Sequence, residues 1–165
     1  MIFHNPYQEE RLKLVAVPVF WMIALLLSAL ASGVAFSHIL EIPGKRRMST
    51  EHALAVQKEL YVGYRAPAAA IEVGAILTTL VAMLLVWGEG PEFWLTLTAL
   101  VALLGTMIVF VLVTDPQNRK ILGWKADDLP SDWTRVRARW EASHGLRSAL
   151  FLAAVGLLAA ALHVA

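Results

Sequence analysis

The sequence predicts an all-α integral membrane protein: a four-helix bundle with a short amphipathic helix between its first and second spans. Three observations carry this. Of 165 residues, 58% are hydrophobic, above the ~45–50% of an average soluble domain. The excess gathers in four runs, roughly residues 14–42, 67–87, 93–113 and 145–165. Each run reaches the ~20 residues that cross a ~30 Å hydrocarbon core as a helix. No large soluble insert separates the runs, so residues 1–165 are expected to form one domain.

The first helix is expected to begin near Gln8. Arg11 and Lys13 before an apolar run, with Ala29-Leu30-Ala31 further on, have the form of a signal peptide. Apolar sequence continues to Ile42, so a retained helix is expected instead. Pro18 is a candidate kink. Ser28, Ser32, Gly33 and Ser37 are small enough for close helix packing. Pro43-Gly44 is expected to end the helix.

Ser49 can cap the next helix, with Glu51 in its first turn. Ala53, Val56, Leu60 and Tyr64 form an apolar stripe, which gives the amphipathic segment. Pro67 then starts the second span or kinks a continuous helix. Gly88-Glu89-Gly90-Pro91 is a turn signal, so the second and third spans are antiparallel neighbours. The third span is expected to end near Asp115-Pro116, with a loop from Pro116 to Pro130. Ser131 is a candidate N-cap for a last helix running to the C-terminus.

Eleven of the fourteen Lys and Arg residues fall in the two longer loops; Arg11 and Lys13 lie on the other side, and Arg147 is within the fourth span. By the positive-inside rule those loops are cytoplasmic. The chain is then expected in the inner cell membrane with both termini outside. Net charge is +1 and cysteine is absent. Nothing points to nucleic acid, and disulfides, thiolate catalysis and Cys-ligated metals are excluded.

This topology brings polar groups to one layer. His38 and Glu41 end the first helix, Glu72 lies inside the second, Asn118 follows the third, and Glu141, His144 and Arg147 enter the fourth. His38-x-x-Glu41 and Glu141-x-x-His144 each place their pair on one helix face. Ionisable groups at membrane depth are functional suspects by default.

Several chemistries stay open. Carboxylate-bridged dinuclear bundles use Glu-x-x-His on two helices plus a Glu from each of two others. His38, Glu41, Glu72, Glu141 and His144 offer ligands for one or two ions of iron, manganese, copper or zinc. The third helix supplies no matching carboxylate beyond Asp115. The bland alternative has Glu41 and Glu141 solvated at the boundary or paired with Arg137, Arg147 or Lys45. His38 and His144 could also be axial ligands of a haem. Without any cofactor, a histidine polarised by a glutamate could take a proton from a lipophilic acid, with Arg147 or Asn118 holding the resulting oxyanion. A quinol, phenol or anthrone-like molecule would arrive through the lipid bilayer. Tyr61, Tyr64, Trp124 and Trp133 read as interfacial belt residues; Trp140, one turn from His144, is the best pocket candidate. His4, His52 and His163 read as surface groups.

Asp115-Pro116-Gln117-Asn118, followed by Arg139-Trp140-Glu141-x-x-His144-x-x-Arg147, resembles the anthrone oxygenase-like family of small four-helix membrane proteins. Ser32-Gly33-Val34-Ala35-Phe36 and Pro43-Gly44-x-Arg46-Arg47 fit that family's first helix and turn. The resemblance spans most of the chain and is most specific from Asn118 to Arg147. It implies an oxygenase-like oxidoreductase acting on a lipophilic aromatic or quinone-type molecule, the family name coming from enzymes that oxidise anthrones to anthraquinones. Glu41 and Glu72 are not part of the family motif. The rival class is a non-catalytic subunit of a homo- or hetero-oligomer, or a small transporter, in which the His/Glu cluster is structural or a proton path. A closed pocket beside His38 and His144 would favour the enzyme.

Overall fold

The computed structural model describes residues 6–88 and 90–164; His4 and Glu89 lie outside them. The described chain runs through α1 (Pro6–Lys45), α2 (Thr50–Leu85), α3 (Pro91–Val109), a π-helical turn (Phe110–Thr114), α4 (Asp115–Gly123) and α5 (Trp133–Val164). α3, the π turn and α4 form one continuous rod. Four helical segments, Leu14–Lys45, Thr50–Leu85, Pro91–Gly123 and Trp133–Val164, are each long and apolar enough to cross a membrane. The chain is an all-α membrane four-helix bundle.

The helices stand in a square. α1 packs on α2 and α5, and α3 packs on the same two; among the described residues, α1 and α3, like α2 and α5, make no close backbone approach across the diagonals. Alanines line the centre: Ala24, Ala31 and Ala35 on α1, Ala75 and Ala82 on α2, Ala99 on α3, Ala154 and Ala161 on α5. Lipid tails are as apolar as leucine, so bundles in membranes gain by close backbone approach across small residues. Trp21 fills the middle at 1% exposure. Its Nε1–H donates to Thr96 Oγ1 at 2.9 Å, tying α1 to α3 across the interior. Large apolar side chains such as Leu26, Leu30, Val101, Leu112 and Leu152 point outward, as a lipid-facing surface requires.

Four boundaries differ from the sequence reading. The amphipathic segment is helical but not separate, because α2 passes through Pro67 without a break. Ser49 caps it as expected, its Oγ accepting from the His52 N–H at 3.3 Å. α1 continues two residues past Pro43, which keeps Lys45 on the helix, four residues after Glu41. The third span does not stop at Asp115-Pro116. Pro116 has no N–H to return to the carbonyl one turn back and would crowd it. The chain widens into the π turn just before this proline, the Asp115 N–H reaching back five residues to Phe110 O. Pro116 then sits in the first turn of α4, where its missing N–H costs nothing. At the start of α5 the first α-helical bond runs from Val136 N–H to Asp132 O, so Asp132 rather than Ser131 occupies the cap position.

Candidate functional site

At the basic end of the bundle the four helices enclose a cavity of about 120 Å³ with a mostly apolar lining. Its position follows from the packing. Towards the other end alanines draw the helices together; here α2, the π turn and α5 carry Tyr64, Phe110, Trp140 and Phe151, which hold the walls apart.

His38 and His144 meet in this cavity, their ring centroids 4.3 Å apart. Trp140 lies one turn before His144, its ring 4.4 Å from that imidazole and 5.3 Å from His38. Tyr64 meets the other edge of His38 at 5.7 Å. His144 is 5% exposed. The Nδ1 atoms of both histidines are buried without a hydrogen-bond partner among the described residues. Glu41 Oε2 is 3.7 Å from His38 Nδ1, too far for a hydrogen bond, and is paired instead with Lys45 Nζ at 2.7 Å.

The other two carboxylates are committed elsewhere. Glu72 accepts from Arg147 Nη2 at 2.7 Å through one oxygen and from the Thr106 hydroxyl at 2.7 Å through the other. Glu141 accepts from Arg46 Nη2 at 2.6 Å and from Arg137 Nε at 3.1 Å. The expected metal set of His38, Glu41, Glu72, Glu141 and His144 is therefore not assembled as one shell. Each carboxylate has found a cation, which in a medium of low dielectric is the alternative to leaving that cation unpaired. Among the described residues no group of three or more His, Asp or Glu is placed to hold a metal ion. The histidine rings are in contact, with no room for a haem between them.

Arg147 is 8% exposed. Its guanidinium lies 5.1 Å from the centre of the Phe110 ring and 5.8 Å from that of Phe151. One edge is spent on Glu72; Arg147 lines the cavity, and its Nε is buried without a partner among the described residues. Asn118 is buried, and its Oδ1 accepts from Trp140 Nε1–H at 2.7 Å. The Thr114 hydroxyl donates to Ser143 Oγ at 3.0 Å, and Ser143 donates to Trp140 O at 2.8 Å. The π turn and α4 are thus fastened to the first turns of α5. Trp140→Phe should leave Asn118 Oδ1 buried without a donor, at a cost of about 1–3 kcal/mol. Thermal unfolding in detergent measures this, with Trp133→Phe as the comparison.

Sequence reasoning placed His38, Asn118, Trp140, His144 and Arg147 around this cavity, and the structure brings them together. The sequence reading offered Lys45 as a partner for the boundary carboxylates, and Lys45 does pair with Glu41; it missed that this ammonium also stands 5.4 Å from the Trp140 ring centre, and it missed Thr106, the polar partner of Glu72. Tyr61 and Tyr64 line the cavity rather than an interfacial belt. The signal for them was available: residues 57, 61, 64, 68 and 72 fall on one face of a helix that ignores Pro67. His52 and His163 are exposed, as expected for surface groups.

Comparison with curated proteins and with solved structures finds no match. The family model of anthrone oxygenase matches residues 60–157. That stretch covers well over half of the chain and holds Glu72, the π turn, Asn118, Trp140, His144 and Arg147, leaving His38 and Glu41 outside it. With the four-helix membrane bundle and the cavity between its helices already in place, this match settles the relationship: the chain belongs to the anthrone oxygenase family.

Proposed function

We propose that the cavity binds a flat, lipophilic molecule with an acidic C–H or O–H, of the anthrone, phenol or quinol class, and that the His38/His144 pair removes its proton so that dioxygen can oxidise the anion. The observation that carries this reading is the contact of two histidines inside a mostly apolar cavity that Arg147 also lines.

The chemistry balances with dioxygen as the only co-reactant. In an anthrone, a methylene C–H passes its proton to an imidazole nitrogen, and the electron pair spreads onto the ring oxygen as an enolate. Arg147 and Asn118, both lining the cavity, offer N–H donors to that oxygen. One electron moves to dioxygen, and the carbon radical and superoxide join to form a C–O bond. The peroxide loses its remaining C–H proton, the O–O bond breaks, and water leaves. The methylene has become a carbonyl: one dioxygen supplies the carbonyl oxygen and the oxygen of one water.

The packing favours this use of the residues. Tyr64 and Trp140 border His38, and Trp140 borders His144, so a planar ring can lie against aromatic walls with its acidic position at an imidazole. The mostly apolar lining limits water, which strengthens each polar contact to the developing anion. The five-ligand metal reading and the bis-histidine haem reading have no comparable support, given where the carboxylates and rings lie.

The test uses protein reconstituted in lipid nanodiscs, with anthrone under ¹⁸O₂. One ¹⁸O is expected in each anthraquinone, and dioxygen uptake is expected to match product one to one above the rate of empty nanodiscs. An oxygen label drawn from water, or a rate equal to that of empty nanodiscs, would overturn the proposal.

A further inference from the structure

The cavity has a window on one side. At one end of it, Lys58 on α2 donates to the carbonyl of Trp124, which closes α4, at 2.6 Å. At the other end, Glu72 on α2 meets Thr106 on α3. From Lys58 to Glu72 the helix rises about 21 Å. Between these two ties α2 and the π turn stand apart. Among the described residues no Cα of the π turn lies within 8 Å of a Cα of α2. Arg65 and Ala69 line the cavity and are nevertheless exposed, so the wall is open there. From α3 and the π turn, Met107 and Phe110 line the same cavity.

The surroundings of the window are apolar on both sides. Val62 is 74% exposed on α2, and Leu112 is 70% exposed on the π turn. Val73 and Val111 are exposed beside them. The cavity rim on α2 carries Ala68 and Ala69, the smallest side chains with a Cβ, where a larger residue would fill the gap. Arg65 brings a charge to the rim, and its long stem can lie along apolar surface with the head at the interface.

We infer that the cavity draws its ligand from the bilayer, sideways through the window between the first half of α2 and the π turn. The ligand is then a membrane-dissolved ring compound rather than one delivered from water. The inference rests on the reading of the cavity as a ligand site, but not on which reaction occurs there.

The chain has no cysteine, so Ala69→Cys introduces a single thiol in the window. In phosphatidylcholine vesicles this thiol should react at least tenfold faster with bilayer-dissolved pyrenyl maleimide than with a charged, water-soluble methanethiosulfonate. Benzyl methanethiosulfonate then blocks the window after folding, and a reductant reopens it. Uptake of radiolabelled anthraquinone into the protein should slow at least tenfold on blocking and recover on reduction. Gly33→Cys, on an exposed face of α1 with open space around it, should show no such effect.

Unchanged uptake through a blocked window would place the entrance elsewhere and overturn the inference, while leaving the cavity as a ligand site. Faster reaction with the charged reagent would overturn the bilayer as the source. If the unmodified protein takes up no anthraquinone saturably, the cavity reading falls and the window falls with it.

Discussion

Glu72→Ala should destabilise the protein by about 3–5 kcal/mol, the usual cost of removing one partner from a buried ion pair. The side chains of Glu72 and Arg147 are 7% and 9% exposed and sit 2.7 Å apart. Without Glu72, Arg147 keeps its charge in an apolar cavity wall and faces only the rings of Phe110 and Phe151. Those rings offer a cation–π attraction of roughly 0.5–2 kcal/mol, too little to replace a carboxylate. Thr106 would also lose its acceptor on α2. The double variant Glu72→Leu with Arg147→Met removes both charges, and most of the lost stability should return. Thermal unfolding of the single and double variants in detergent measures the pair. If the double variant melts no higher than Glu72→Ala, the cost lies in packing rather than in the stranded charge. Oxidase activity separates the two roles of Arg147: the double variant should fold and still be inactive, because it lacks the donor for the substrate oxygen.

This pair also marks how far the sequence could be read. Both residues stood out as charges inside apolar runs, and both line the cavity. Their pairing was not legible, because 75 residues separate them and the choice depends on the rotation of α2 against α5. The same is true of the tie between Glu141 and Arg46, whereas its other partner, Arg137, was among the cations the sequence offered. The spacing of Glu141 from His144 fits a metal-binding helix face, yet its side chain turns to Arg137 on its own helix and to Arg46 after α1. Spacing along one helix fixes a face but not which neighbour that face meets. The helices themselves were legible because membrane spans depend on length and composition alone. The misplaced boundaries lie at prolines. Pro43 and Pro116 read as stops and Pro67 as a start or a kink, and the chain passes all three in helical form. At Pro116 a π turn absorbs the missing bond, and π turns inside helices are frequent at functional sites.

His144→Ala and His38→Ala should each lower turnover by 10²–10⁴, the range expected for a positioned general base. The double variant should be little worse than the weaker single one. Two rings in contact at 4.3 Å serve one proton transfer, and residues that act as a unit do not contribute additively. Glu41→Gln should cost less than tenfold, since Glu41 is held by Lys45 and stands beyond hydrogen-bond distance from His38. Both histidines also touch Trp140, so an alanine variant could lose activity through loosened packing alone. Added imidazole separates the two causes. It can occupy the space left by His144 and act as a base, which restores turnover in proportion to its concentration. It would not restore a collapsed wall. Multiplying losses in the double variant, without rescue in either single one, would make the histidines ties between α1 and α5. Rescue combined with non-additivity would assign them the proton.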